Sequence, residues 1–270
     1  MSNPDLATRP VFVHVHVPKS GGTSLNTLLN HWFGGRIQWM QFSDPTRMFT
    51  QGEMDDYVWR NIQVDCITSH HFRVFPPVIA GRPALYLALL RNPVDCLISL
   101  ARHTMRETPK LTPEFRSVLP ANLDELNVAG LLSYWINEAL ESADSELFFG
   151  ASFSRMFFEK TVESLGLGNE KRVVSKTDQA WSQWVAKGVA VAQLNQFFFV
   201  GDFANLAGEI QRLAELLKPF GFACQETDLP WERRSADRPF VSPEEEQKFR
   251  AQLEEVLLID REVYRHFFPN

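Results

Sequence analysis

The sequence has few of the features that mark several common protein classes. Its 270 residues include only three cysteines, which are far apart in the chain: Cys66, Cys96 and Cys224. Because the number is odd and no Cys-x-x-Cys or Cys/His cluster is present, the sequence predicts neither a disulfide framework nor a zinc site. This cysteine usage favours a reduced, cytoplasmic setting.

Positive charge and long apolar runs are also scarce. Lys and Arg number 27 against 33 Asp and Glu, a net charge of −6, whereas a nucleic-acid-binding domain usually carries a basic face. No apolar run approaches the roughly 20 residues of a membrane-spanning helix, and residues 1–10 have no signal-peptide core. We therefore expect no nucleic-acid partner and no membrane span.

What the sequence does contain is an alternation of strand-like and helix-like segments. Buried strands, with nearly continuous apolar residues, are predicted at 11–17, 64–69, 84–90 and 197–200. Helical spacing of apolar residues follows at 24–29, 94–101, 122–143, 178–195, 206–220 and 243–267. The alternation predicts an α/β fold, in which a parallel sheet is flanked by helices on both faces.

A glycine-containing loop joins the first predicted strand to the first predicted helix. It reads His-Val-Pro-Lys-Ser-Gly-Gly-Thr-Ser over residues 16–24. Glycine lets the backbone approach a ligand closely, and backbone N–H groups at a helix N-terminus attract anions. The loop therefore predicts a site for a phosphate-bearing ligand. An ordinary glycine turn is the alternative interpretation.

The order of residues separates this loop from the usual ATP and GTP loop. That loop reads Gly-x-x-x-x-Gly-Lys-Ser/Thr, with the lysine after the last glycine and the hydroxyl on Mg²⁺. Here Lys19 precedes both glycines, and the triphosphate pattern occurs nowhere in the chain. A kinase-like nucleoside triphosphate enzyme is therefore an alternative function that the residue order argues against.

Two other predicted strands also end in chemically active residues. His70 and His71 follow the strand at 64–69, and Arg91 follows the strand at 84–90. Imidazole, with a pKa of about 6.5, can take a proton from a hydroxyl near neutral pH. Adjacent residues of an extended chain face opposite ways, so only one of the two histidines is expected to point into a site. A pair of structural histidines is the alternative.

The loop, together with Arg91 and Ser99, resembles the donor site of PAPS-dependent sulfotransferases (PAPS, 3′-phosphoadenosine 5′-phosphosulfate). The resemblance is to the branch that contains the heparan sulfate 2-O-sulfotransferases and bacterial relatives, whose fold is P-loop-like. It implies that Lys19 is the catalytic lysine. The 5′-phosphosulfate cradle would be formed by Ser20, Gly21, Gly22, Thr23 and Ser24.

The same resemblance implies roles for the other strand ends. Arg91 and Ser99, eight residues apart, would hold the 3′-phosphate, although Asn92 replaces the aspartate common after this arginine. His70 would be the general base, with His71 as its competitor, and Ser69 stands where the branch has glycine. The resemblance also implies that an arginine-rich loop near the C-terminus contacts the 3′-phosphate. The candidates in this loop are Arg233, Arg234 and Arg238.

The implied reaction moves a sulfuryl group from PAPS, which leaves as PAP, to a hydroxyl of a small-molecule, lipid or sugar acceptor, without a metal. Residues 1–270 would form one catalytic domain, with a flexible N-terminus at 1–10 and variable acceptor-side segments at 36–60 and 107–178. Their aromatic and methionine content favours an acceptor with an apolar part. A non-catalytic nucleotide-binding protein of the same fold is a second alternative. The sequence predicts no oligomeric state.

Overall fold

The computed structural model of the chain describes residues 9–43, 47–111, 113–116, 119–141, 187–222, 224 and 242–269. These residues belong to two units. The first unit takes its residues from Met1–Phe42, Thr46–Leu90 and Gln193–Glu232. The second takes them from Ser43–Pro45, Arg91–Ala192 and Arg233–Asn270. Within the described ranges, no helix combines the length and the apolar character needed to cross a membrane.

The first unit is built on a six-stranded sheet. Its strands are β1 (Val11–Val15), β2 (Ile37–Trp39), β3 (Cys66–Ser69), β4 (Val78–Ile79), β5 (Arg82–Leu90) and β6 (Phe199–Asp202). Five strands are parallel, in the order β2-β3-β1-β5-β6, and the short β4 pairs antiparallel with the start of β5. The predicted α/β class with a parallel sheet is therefore confirmed.

The helices lie between and after the strands. They are α1 (Gly22–Trp32), α2 (Gln51–Arg60), α3 (Pro93–Glu107), α4 (Pro113–Arg116), α5 (Val128–Glu141), α6 (Leu206–Leu217), α7 (Pro243–Val256) and α8 (Leu258–Phe267). Residues 187–194 are also helical. The helices α1, α2 and α6 belong to the first unit with the sheet, and α3, α4, α5, α7 and α8 belong to the second.

The core of the first unit joins α1 and α6 to one face of the sheet. The cluster includes Phe12, Leu25, Leu29, Phe199 and Leu213, none of which is more than 1% exposed. The three valines of β1 point to the opposite face of the sheet and are also fully buried. Burial on both faces is what a nearly continuous apolar strand predicts for the middle of a parallel sheet.

The second unit has a core of its own between helices. Its buried cluster takes residues from α3, α5 and α7, including Leu97, Leu132 and Leu253. The helix α3 begins as expected, since Pro93 is its first residue and Oδ1 of Asn92 accepts the N–H of Val94 at 3.0 Å. An asparagine cap before an N1 proline satisfies backbone groups that the first helical turn leaves open.

The structure corrects the sequence prediction most strongly over residues 36–60. The sequence analysis assigned no strand or helix to them, yet they contain β2 and α2. The start of α2 is a capping box, in which Thr50 accepts the N–H of Glu53 and the carboxylate of Glu53 accepts the N–H of Thr50. That Thr-x-x-Glu signature was present in the sequence and predicts a helix start.

Several element boundaries also differ from the prediction. The helix expected from 122 starts at Val128, after a 3₁₀ turn at Leu123–Glu125, and the helix expected over 243–267 is interrupted at Leu257. The last strand lies two residues later than predicted, at Phe199–Asp202, and α1 begins at Gly22 rather than at residue 24. Residues 142–186, which include part of the segment 107–178 and the start of the helix expected from 178, lie outside the described residues.

A buried arginine anchors the end of the sheet opposite the loop. The side chain of Arg82 is 1% exposed, and its Nε and Nη2 donate to the carbonyl oxygens of Arg9 and Pro10, each at 2.9 Å. Its Nη1 donates to the carbonyl oxygen of Val64 at 2.8 Å, and Asp65 supplies a carboxylate at 3.9 Å. One guanidinium therefore fixes the chain segments that lead into β1, β3 and β5.

Replacing this arginine should destabilise the protein strongly. In Arg82→Met the main-chain carbonyl oxygens lose their buried donor, and the carboxylate of Asp65 loses a buried positive charge nearby. We therefore expect a loss of about 3–5 kcal/mol in the free energy of unfolding. The matched control is Arg60→Met, because Arg60 makes only an exposed ion pair with Asp56 on α2, worth about 0–1 kcal/mol. Urea unfolding would measure both; equal stability of the two variants would contradict this role for Arg82.

Candidate functional site

Two polar residues meet where β1 and β3 end. The parallel register pairs His14 with Thr68 and Val15 with Ser69, so His70 stands beside His16 in the next position. The N–H of His16 donates to the carbonyl oxygen of Ser69 at 3.0 Å, which continues the ladder to this point. The two imidazole rings are 4.0 Å apart between centroids. The strand register therefore brings both histidines to the carboxyl edge of the sheet, where parallel sheets bind ligands.

The tautomer of His70 follows from its main-chain partner. Its Nδ1 lies 2.6 Å from the carbonyl oxygen of His16, which can only accept, so Nδ1 carries the proton. Burial lowers the pKa of His70 to about 4, the carbonyl bond opposes this shift, and the charges of His71 and Arg73 add to it. Near neutral pH the ring is therefore neutral, with a lone pair on Nε2.

The neighbouring His71 faces the other way. Its Nδ1 lies 2.7 Å from the carbonyl oxygen of Arg47, and its N–H donates to Oγ of Ser69 at 2.9 Å. The ring is buried at 6% exposure and lies 5.7 Å from the ring of Phe42, which stacks on Phe49. The two adjacent histidines after β3 therefore take different partners, the carbonyl oxygen of His16 for His70 and that of Arg47 for His71.

The glycine-containing loop opens directly into α1. Gly21 is the N-cap in a left-handed conformation with φ 80°, and Lys19 is also left-handed with φ 60°. Within this fully described loop, no side chain caps the helix and no acidic residue lies in its first turn. The first-turn N–H groups, from Gly22 to Ser24, are therefore oriented to hold an anion. Ser20 is buried at 1% exposure, and Thr23 is exposed.

His16 connects this loop to His70. A Cβ atom on Gly22 would lie 1.9 Å from Cδ2 and 2.1 Å from Nε2 of His16, so only glycine leaves room for the imidazole against the first turn of α1. Burial lowers the pKa of His16 well below its usual value, and the nearby charges of His70, His14 and Lys19 lower it further. The ring is therefore neutral and lies between the loop and His70.

Three polar side chains, buried or half-buried, lie behind His16. Oδ1 of Asn26, on α1, lies 2.5 Å from Nδ1 of His14 and accepts from Oγ1 of Thr68 at 3.0 Å. Nδ2 of Asn26 lies 3.5 Å from Nδ1 of His16. The sequence analysis missed Asn26 and Thr68. The signal available was the pair of histidines two residues apart, in β1 and directly after it, which places both on one side of the extended chain.

An exposed indole borders the two histidines. The ring of Trp39, in β2, lies 5.2 Å from the ring of His16 and 5.5 Å from that of His70, edge-on to both. It is 39% exposed, although large aromatic side chains usually bury most of their surface. The sequence placed Trp39 in the acceptor-side segment 36–60 without a particular role.

The other predicted site residues are placed differently. Lys19, the loop and His70 all belong to the first unit, whereas Arg91 and Ser99 belong to the second. Arg91 directly follows β5, and Ser99 lies in α3. Arg233, Arg234 and Arg238 lie outside the described residues. Across the described ranges, no group of three or more His, Cys, Asp or Glu side chains is arranged to hold a metal ion.

Comparison with known proteins adds little to this picture. No model of a protein family matches the chain, and no curated protein matches it. Among solved structures, the chain is similar to a sulfotransferase from Alicyclobacillus acidocaldarius, with a TM-score of 0.47, 15% sequence identity and coverage of 96% of each chain. A similarity this low carries neither an activity nor a residue role from that protein to this one.

The buried histidines make the stability of the protein depend on pH. Burial is the main cause that lowers the pKa of His14, like that of His70, to about 4 from 6.5. Well above pH 6.5 neither the folded nor the unfolded state binds protons at these sites. As the pH falls towards 4 the unfolded state binds more, so each histidine is expected to cost roughly 2 kcal/mol of unfolding free energy between pH 7.5 and 5.

Urea unfolding at the two pH values measures this loss. In His14→Gln the difference between pH 7.5 and pH 5 is expected to shrink by about one histidine's share. The control is His31→Gln, because His31 is exposed on α1. An undiminished pH dependence in His14→Gln would contradict the burial of a neutral His14.

Proposed function

We propose that the protein is a sulfotransferase that moves a sulfuryl group from PAPS to a hydroxyl group of an acceptor. The observation that carries the proposal is the neutral His70 ring, with its lone pair on Nε2, beside a loop built to hold an anion. The ring of His16 lies between His70 and the loop: its centroid is 4.0 Å from that of His70, and its edge contacts Gly22. A base next to an anion cradle is suited to transfer of an anionic group to a hydroxyl.

The residues of the loop fit the 5′-phosphosulfate end of PAPS. Gly22 leaves room for the imidazole of His16 against the first turn of α1, and the first-turn N–H groups carry the positive end of the helix dipole. Lys19, Ser20, Gly21, Gly22, Thr23 and Ser24 would hold this end. We assign the 3′-phosphate to Arg91 and Ser99, with Arg233, Arg234 or Arg238 as a further contact.

The chemistry follows from what these side chains can do. When bound, PAPS supplies the sulfuryl group: the acceptor oxygen forms a bond to sulfur, the bond from sulfur to the 5′-phosphate oxygen breaks, and PAP leaves with the electron pair. Nε2 of His70 takes the proton of the acceptor hydroxyl. Lys19 and the first-turn N–H groups stabilise the negative charge on the leaving phosphate oxygen, as preorganised donors do. Because Lys19 and the amides supply this charge, the reaction requires no metal.

The contacts of the two histidines favour His70 over His71 as the base. Nδ1–H of His70 is fixed by the carbonyl oxygen of His16, so its lone pair lies at the ring nitrogen away from the backbone. His71 is held by Arg47 and is packed with Phe42, on the other face of the chain. The exposed Trp39 beside His70 supports an acceptor with an apolar or ring-bearing part.

The rest of the proposal concerns the whole chain. We propose that residues 1–270 act as one catalytic domain in the cytoplasm and that 36–60 and 107–178 shape the acceptor side. A kinase-like enzyme is disfavoured because the lysine of its loop would follow the glycines. A non-catalytic nucleotide-binding protein would have no use for a buried, neutral histidine oriented by a main-chain carbonyl beside the loop.

Nucleotide selectivity tests the donor. PAP is expected to raise the melting temperature of the protein more than ADP at the same concentration, because only PAP carries the 3′-phosphate that Arg91 and Ser99 would bind. Thermal unfolding with each nucleotide measures this preference. Arg91→Ala should remove most of it while leaving the response to adenosine 5′-monophosphate unchanged. Equal stabilisation by ADP and PAP would overturn the assignment of PAPS.

Replacement of the proposed base tests the mechanism. His70→Ala should slow transfer by roughly 10²–10⁴-fold, the usual contribution of a general base, and leave the affinity for PAP intact. The measurement is transfer of ³⁵S from labelled PAPS to a panel of alkanols, phenols and monosaccharides and to a small-molecule extract of the source organism. His71→Ala is the comparison. Full activity of His70→Ala with loss of activity in His71→Ala would reverse the assignment.

A further inference from the structure

We propose that His16 is a further catalytic residue: its Nε2–H donates a hydrogen bond to the sulfuryl group during transfer, and Asn26 sets the tautomer that makes Nε2 the donor. This inference rests on the proposed function and deepens it. His70 would act on the proton and Lys19 on the leaving phosphate. His16 would act on the group that moves between the acceptor and the phosphate.

The position of His16 is the first reason for this assignment. Its Nε2 lies against the first turn of α1, since a Cβ atom on Gly22 would be 2.1 Å away, and its ring is 4.0 Å from the ring of His70. The leaving phosphate belongs at the first turn, and the acceptor hydroxyl belongs at His70. A group in line between acceptor and phosphate must therefore pass beside the imidazole of His16.

The tautomer of His16 is the second reason. Oδ1 of Asn26 lies 2.5 Å from Nδ1 of His14 and 3.0 Å from the hydroxyl of Thr68, which is itself 3.1 Å from Nδ1 of His14. With Nδ1–H of His14 and the hydroxyl of Thr68 both donating, Oδ1 of Asn26 accepts from each. The amide nitrogen of Asn26 consequently faces Nδ1 of His16, at 3.5 Å. Nδ1 then accepts, and in a neutral imidazole the other nitrogen carries the proton, so Nε2 is a donor.

Burial keeps the ring of His16 in this neutral form. The titratable groups that face it are His14 from β1, His70 from the end of β3 and Lys19 from the loop, and each would disfavour a positive charge on His16. The ring is 5% exposed, so its N–H acts in surroundings with little water, where a bond to a charged group is strong. The arrangement suits a fixed donor to the anionic sulfuryl oxygens.

A pair of substitutions at one position tests this donor. His16→Asn keeps a polar group near Nδ1 and removes the donor at Nε2, whereas the longer His16→Gln returns an N–H close to the Nε2 position. We expect His16→Asn to weaken binding of PAPS and to slow ³⁵S transfer, each by roughly ten- to hundredfold, with PAP affinity changed by less than about twofold. PAP lacks the sulfuryl group, so it cannot report the lost bond. His16→Gln should recover most of both losses.

Asn26→Asp tests the positioning role. A carboxylate only accepts, so Nδ1 of His16 must then carry a proton, and a neutral ring would have its lone pair on Nε2. PAPS binding should fall as in His16→Asn, again with PAP binding kept. The control is Asn30→Asp, because Asn30 is exposed on the same helix. Thermal unfolding of each variant verifies that it is folded.

The outcomes separate this inference from the proposed function. Titration with PAPS in the absence of acceptor, with PAP, and with ADP gives the affinities, and the ³⁵S panel gives the rates. Wild-type PAPS affinity and rate in His16→Asn would overturn the inference alone. Equal loss of PAP and PAPS affinity would also overturn it, because His16 would then serve the phosphate cradle. A wild-type protein that binds ADP as tightly as PAP would overturn the proposed function and this inference with it.

Discussion

The hydrogen bond from Nδ1 of His70 to the main-chain carbonyl oxygen of His16 is the contact on which the candidate site depends. It exists because β1 and β3 are adjacent and parallel, with a register that sets His70 beside His16. The bond fixes the tautomer of His70 and leaves the lone pair of the ring on Nε2. Because the partner is backbone, its position follows from the sheet ladder and not from a mobile side chain.

Several polar side chains lie around this bond, where a hydrophobic core would have apolar ones. His14, Thr68 and Asn26 lie behind His16, and only part of their hydrogen-bonding capacity is used: in the described part of the chain, Nε2 of His14 has no partner. Burying such groups costs stability unless they are paired. Because these polar groups lower stability, we infer that they are present to orient the ring of His16 beneath the glycine-containing loop.

Much of the fold was predictable from local patterns. The apolar run of β1, the run of β5 and the asparagine cap before Pro93 are short-range signals, and each corresponds to a described element. The segment 36–60 was missed because β2 is only three residues long and α2 is mostly polar, so neither has a strong apolar period. The break at Leu257 was missed because the apolar spacing continues through it.

The sequence by itself predicted an anion-binding loop, and the order of Lys19 and the two glycines excluded the triphosphate pattern without any coordinates. It also limited the proposed base to His70 or His71. Tertiary structure decided which face each histidine takes, and it brought Asn26 of α1 against His16, which directly follows β1. Strand register and helix packing are long-range, so the neutral state and the tautomer of these rings could not be obtained from the order of residues.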